Sequence, residues 1–293
     1  MIKRLRRSRI LGTHRRRAVL ALVITILTIF PVYFMVSGAL SHPDIFITRL
    51  GGQTEGGLVD ILFPRPPILQ HFQTVLSDAL FRRYLINSLI VATITMALAI
   101  LVCTLGAYSL ARLRFPGSNM IGRVALLTYT VPSVLLLIPL FKIVVGVGIA
   151  DSLTSLVLTY TTFAIPFSLW MLRAFFQSLP PELEDAAMVD GAGRLGALFR
   201  VILPLSVPGI AATALFAFIL AWNEFLFALI FTSSDDVRTL PIGVALTMTR
   251  EQTAVDWATA MAASTISSLP IFIVVMLGQR GFVRGLTAGG VKG

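Results

Sequence analysis

Residues Ser178–Pro204 read SLPPELEDAAMVDGAGRLGALFRVILP. This polar stretch separates two long, almost uncharged runs, and its own pattern is helical. Pro180 and Pro181 suit a helix start, because the first turn has no use for the missing N–H. Glu182, Glu184 and Asp185 follow where the helix dipole favours negative charge. Gly191 and Gly193 end that helix. A second short helix begins at about Arg194 and stops before Pro204. The segment is therefore helix, glycine turn, helix, lying outside a bilayer. Ala186 and Ala187 thin one face of the first helix, which lets another surface approach closely. The plainer reading is an amphipathic connector at the membrane interface.

Outward from this segment the chain is made of apolar runs. A helix needs about 20 apolar residues to cross the hydrocarbon core. Six runs meet that length: 18–40, 84–111, 121–146, 152–176, 205–231 and 257–279. Pro132, Pro139, Pro166 and Pro270 fall within them. Proline in a span is tolerated where neighbouring helices satisfy the freed backbone groups, so these positions indicate either a bundle around a pathway or ordinary kinks. The first run follows a basic start, as a signal peptide does. It is longer than an h-region and lacks a cleavage site, so it reads as a retained signal-anchor.

Composition agrees. The 293 residues are 56% hydrophobic and 13% charged, with a mean hydropathy of +0.86. Soluble domains carry about 25% charged residues. This deficit excludes a soluble enzyme, a nucleic-acid-binding domain and a disordered tail. Most of the net charge of +10 lies in the 1–17 segment, which holds eight Lys and Arg and no acid. With the N-terminus placed in the cytoplasm, 17 of the 24 Lys and Arg fall on the inner side. That bias sets both termini inside and makes the 1–17 segment a topology and anionic-lipid feature, not a nucleic-acid site. Cys103 alone can form no internal disulfide or cysteine zinc site. His14, His42 and His71 have no ligand spacing. No metal is expected.

Two substantial segments then lie outside, 41–83 and 232–256. The first is rich in Gly and Pro and reads as loop. The second is acidic on balance, with Asp235, Asp236, Glu251 and Asp256 against Arg238 and Arg250. Within the fifth span Glu224 is an acid in apolar sequence, which costs about 2.5–3.5 kcal/mol at a helix centre. With Asn223 beside it, it reads either as a pathway or gate residue or as a group at the outer interface.

The Ser178–Pro204 segment resembles the cytoplasmic loop of binding-protein-dependent ABC importer permeases: Glu-Ala-Ala, three residues, Gly, nine residues, Ile-x-Leu-Pro. Here Asp185-Ala186-Ala187 is followed after three residues by Gly191, and nine residues later by Val201, Ile202, Leu203 and Pro204. Asp185 for Glu and Val201 for Ile are conservative departures. The C-terminal run from Gly285 to Gly293 is similar to the tail of six-span, maltose-type G subunits, and Ala221–Phe225 to a fifth-span motif of carbohydrate permeases. The resemblance covers nearly the whole chain.

It implies an all-α, six-helix ABC importer type I permease in the membrane of a prokaryote. The partners it implies are a second permease subunit forming a heterodimer, a cytoplasmic ATPase dimer and an extracytoplasmic substrate-binding protein. It assigns Glu184, Asp185, Ala186, Ala187, Asp190, Gly191, Leu203 and Pro204 to coupling with the ATPase. It assigns Gly289, Gly290 and Lys292 to the ATPase interface. ATP and Mg²⁺ then belong to the partner, in keeping with the lack of a phosphate-cradling G-x-x-x-x-G-K-[ST] loop here.

Two other classes compete. An intramembrane enzyme on lipid-linked sugars needs two converging titratable groups at membrane depth, and Glu224 is the one acid within the spans. A secondary transporter shows internal repeats and several buried ionisable residues, and neither is present. A permease for a polyol phosphate remains beside a di- or oligosaccharide permease.

Overall fold

The computed structural model describes residues 2–42, 62–113, 115–248 and 257–290, with side chains described for 17–42, 62–113, 115–248 and 257–278. The helices are α1 (Ile2–Ala39), α2 (Gln70–Ser77), α3 (Ala79–Arg112), α4 (Ser118–Tyr129), α5 (Leu137–Val147) and α6 (Leu153–Ser178). They continue with α7 (Glu182–Val189), α8 (Arg194–Leu205), α9 (Val207–Trp222), α10 (Leu226–Phe231), α11 (Leu240–Thr247) and α12 (Trp257–Gly290). No strand occurs among the described residues. Among the described residues, four helices are long and apolar enough to cross a membrane, and up to six spans result if each bent pair counts as one.

The chain divides into two compact units. In the unit formed by Met1–Asp78 and Val244–Ile266, the apolar side chains of α1 from Ala18 to Tyr33 are exposed, Leu20, Ile24 and Leu27 among them. That suits a helix whose solvent is lipid. Its C-terminal turn is buried and polar. Ser37 donates to the carbonyl of Leu62 at 3.0 Å. His71 on α2 lies 3.1 Å from the Ser41 carbonyl and 2.9 Å from the Thr259 hydroxyl of α12.

In the unit formed by Ala79–Gly243 and Ser267–Gly293, α3 and α6 are the central pair and α9 crosses both. Ala99, Ala164 and Ala217 are fully buried at that crossing. Small residues let helix backbones approach closely where lipid offers no hydrophobic drive between helices. Nearer one end, Cys103, Ala107 and Tyr108 of α3, Leu172 and Phe176 of α6, and Leu198 and Ile202 of α8 form a second core. At the other end, the segment before α11 is stitched to the start of α3. The Tyr84 hydroxyl donates to Asp235 at 2.8 Å. The Asn87 amide donates to the carbonyls of Asp236 and Arg238. The Ser88 hydroxyl accepts from the Leu240 N–H. Gly243 lies under the Tyr84 ring, where a Cβ would meet a ring carbon at 2.5 Å.

The structure corrects several sequence boundaries. The expected third span, 121–146, is two helices meeting at 92°. Proline disfavours the α region for the residue before it, here Val131, and Pro132 has no N–H for the ladder. Pro139 breaks nothing, because it sits in the first turn of α5 where N–H groups lack partners anyway. The expected fifth span, 205–231, is interrupted between α9 and α10. The second short helix of the polar segment does not stop before Pro204 but runs to Leu205. A π-turn over Leu198–Ile202 widens the ladder just ahead of the proline ring, the local adjustment that lets a helix carry proline. Segment 41–83 contains α2 and the start of α3, and segment 232–256 contains α11. Residues 43–61 and 249–256, with Arg250, Glu251 and Asp256, lie outside the described residues.

Candidate functional site

The polar segment is an ordered element. Gly191 has φ +87°, and the N–H groups of Gly191 and Ala192 return to the carbonyls of Met188 and Ala187 at 3.1 and 3.0 Å. These two bonds satisfy the last carbonyls of α7 and turn the chain sharply into α8. No atom stands within 4 Å of a Cβ built on Gly191, so the demand for glycine is conformational: left-handed backbone strains any other residue but Asn or Asp.

The loop has two faces. Asp185, Ala186 and Asp190 are exposed and Ala187 is half-buried. Leu183, Val189, Leu195 and Phe199 are exposed apolar side chains on the same two helices, Val189 to 87%. Leu203 packs on the second core, while Pro204 is exposed. Glu184, counted with the docking residues from sequence, points the other way. It is 6% exposed. The Tyr108 hydroxyl donates to its Oε1 at 2.5 Å. Arg112 Nε lies 3.4 Å from its Oε2, with the two side chains 10% and 7% exposed. Arg112 also donates to the Leu179 carbonyl at 3.0 Å. Removing one partner of such a buried pair costs about 3–5 kcal/mol, because the other charge stays behind uncompensated. Tyr108 and Arg112 were missed in the sequence. Their only signal was an i,i+4 polar pair at the end of an apolar run. For the C-terminal residues, the backbone of Gly289 and Gly290 continues α12, and Lys292 lies outside the described residues.

The second constellation is at the break in the fifth span. Asn223 caps α9, its side-chain amide donating to the Ile219 carbonyl at 3.0 Å. Glu224 caps α10. Its Oε1 accepts from the Phe227 N–H at 2.9 Å, and its Oε2 accepts from the Ala228 N–H at 3.1 Å and the Tyr160 hydroxyl at 2.7 Å. The acid in the apolar run is thus held by orphan donors of a restarted helix, where the positive end of the dipole also favours it.

Glu224 borders an open cavity of about 610 Å³. The hydroxyl-bearing residues Thr128, Thr130, Ser133 and Thr162 line it, with Tyr129, Phe163 and Phe227. Both broken spans therefore meet on one cavity. Non-helical backbone at membrane depth persists only where protein buries it or water reaches it. Thr128, Thr130 and Thr162 spend their hydroxyl hydrogens on their own helices, leaving oxygen lone pairs for a solute's donors.

The far end of α10 is pinned by Asp151, which has φ +53°. Its carboxylate accepts from the N–H groups of Ser233 and Ser234 at 2.7 and 3.1 Å, and its own N–H donates to the Phe231 carbonyl at 3.0 Å. The Ser233 and Ser234 N–H groups hold the Asp151 carboxyl below its ordinary range.

A helical membrane bundle with an ordered polar loop at one end, and with two broken spans meeting on a cavity, has the architecture of a solute permease. Residues 103–288 match the family described as binding-protein-dependent transport system inner membrane component, and the chain belongs to that family. It is a multi-pass membrane protein and a transport permease subunit, not an enzyme. It is 39% identical over 260 residues to the sulfoquinovosyl glycerol transport system permease protein SmoH of Agrobacterium fabrum, covering 88% of this chain and 90% of that one. It is 36% identical over 275 residues to the trehalose/maltose transport system permease protein MalG of Thermococcus litoralis, covering 93% and 95%. In structure it matches a chain of a bacterial ABC transporter involved in import of the acidic polysaccharide alginate, with a TM-score of 0.77, 22% identity and coverage of 94% and 97%. The fold is that of an ABC importer permease, as the resemblance in the sequence implies.

Proposed function

We propose that this chain forms one half of the translocation pathway of an ATP-driven, binding-protein-dependent importer for a di- or oligosaccharide in a prokaryotic cell membrane. A second permease subunit completes the pathway. An ATPase dimer that holds ATP and Mg²⁺ docks on the exposed face of α7 and α8, and a substrate-binding protein delivers the sugar on the opposite side. The observation that carries the reading is the cavity shared by the two broken spans. Its aromatic faces and hydroxyl oxygens suit a sugar, and its one charged lining residue, Glu224, is an acid. An acid disfavours a phosphate, which sets the polyol-phosphate reading aside.

The cycle is alternating access. The bundle has two arrangements, and the partner ATPase biases their equilibrium by gripping the loop differently with and without ATP. The Lys and Arg distribution supports a cytoplasmic loop and cytoplasmic termini. A reporter fused after Gly293 then scores cytoplasmic and one inserted near Gly56 scores extracytoplasmic. Both on one side contradicts the topology. For the solute, the assembled importer in proteoliposomes is given radiolabelled trehalose, maltose and glycerol 3-phosphate. ATP-dependent uptake of a disaccharide is expected. Uptake of the phosphate alone, or uptake without ATP, overturns the proposal.

A further inference from the structure

Tyr108 and Arg112 of α3 meet Glu184 of α7 in the dry junction between the two helices. Tyr108 and Arg112 are one helical turn apart at the end of α3. Glu184 is in the first turn of α7. The Tyr108 hydroxyl lies 2.5 Å from Glu184 and 3.2 Å from the carbonyl of Arg194, the first residue of α8. One side chain therefore faces both helices of the loop. Arg112 reaches Glu184 and the Leu179 carbonyl in the linker that leads into α7. Beneath these contacts, the apolar core of α3, α6 and α8 closes the junction with fully buried side chains, including Leu172, Phe176, Leu198 and Ile202.

Apolar packing holds α3, α6 and α8 together, and no α7 side chain belongs to that core. A buried ion pair is a poor way to add stability, because desolvation offsets most of its attraction. What the junction adds is orientation: the Tyr108 hydroxyl donating to Glu184 and the Arg112 guanidinium donating to the Leu179 carbonyl fix one register, where greasy surfaces slide. The exposed face of α7 has none of these groups. The ATPase-facing and span-facing sides of the same helix are thus chemically separate.

We infer that Tyr108, Glu184 and Arg112 form a rigid joint that makes α7 move as one body with α3, so that a displacement imposed on the loop reaches the spans undiminished. The inference rests on the coupling role proposed above and assigns Glu184 a different part in it. It is a positioning residue that fastens the loop to the bundle and makes no contact with the ATPase.

The joint is tested in the assembled importer by spin-label distance measurement. Labels are placed at Glu182→Cys on α7 and Leu101→Cys on α3 in a Cys103→Ala background, without nucleotide and with ATP and vanadate. The unaltered joint gives one narrow distance peak at the same position in both states. Tyr108→Phe and Glu184→Gln lose that single peak, which broadens and shifts with ATP and vanadate. The neutral pair Glu184→Gln/Arg112→Gln leaves no unpaired charge and regains the melting temperature, yet keeps the broad distribution. A purely structural role would restore both. A peak that moves with nucleotide in the unaltered joint overturns the inference, as does a peak unchanged in the variants. Gly191→Val separates the two levels of the argument, since it alters only the exposed turn. If it loses the ATPase on purification while the joint variants keep the narrow peak, the joint alone is wrong. If it retains the ATPase in full, the coupling reading falls and the joint falls with it.

Discussion

Glu224 is a carboxylate placed where a helix restarts. Its two oxygens meet three donors, and a glutamine offers only one acceptor oxygen to the same set. Glu224→Gln therefore loses about 1 kcal/mol of capping along with the negative charge on the cavity wall. We expect assembly to persist and ATP-dependent disaccharide uptake to fall, read in proteoliposomes against the yield of intact complex. Wild-type uptake across sugar concentrations would mean the acid only caps α10. Asp151 works at the other end of the same helix. Its lowered carboxyl pKa means that its tie is present at neutral pH and is lost as pH falls below about 4 and through that lowered value. Hydrogen-exchange protection of the Ser233 and Ser234 amides should follow that course. Asp151→Asn should keep much of the protection, because asparagine accepts one such bond and tolerates positive φ, whereas Asp151→Ala should lose it. Protection indifferent to pH and to both variants would contradict the assignment.

At the scale of the element, the α7–α8 turn was legible because its demands are local. Prolines, first-turn acids and a glycine at the left-handed position each leave a mark at a fixed offset. The breaks were less legible. Hydropathy measures how long an apolar run is and says nothing of its direction, so 121–146 and 205–231 read as whole spans although Pro132 and Glu224 stood in view. The inward turn of Glu184 was hidden for a different reason. Which face of a short helix is buried depends on what packs against it, and Tyr108 lies 76 positions away. The C-terminal helix carries its own prediction. Deleting Gly285–Gly293 removes no apolar span, since the apolar window of α12 ends at Gly278. Membrane insertion should survive, and ATPase retention or coupling should weaken. Unchanged uptake and complex yield would show that this segment takes no part in the interface.

At the scale of the whole molecule, the number of apolar runs and the loop pattern were enough to reach the fold, because lipid forces every span to be helical. The cavity was out of reach, since it is made by two bends that bring distant residues together. The Glu182–Pro204 segment is proposed to transmit ATP turnover to the bundle. ATP hydrolysis by the reconstituted importer, stimulated by its sugar-loaded binding protein, tests it most directly when Gly191→Val is compared with Gly191→Asn. Valine at φ +87° is strained by both handedness and β-branching, while asparagine enters that region readily. Gly191→Val should lose most of the stimulation and Gly191→Asn should keep most of it, with the spans inserted in both. Full stimulation in both would contradict the claim that this segment is the coupling element.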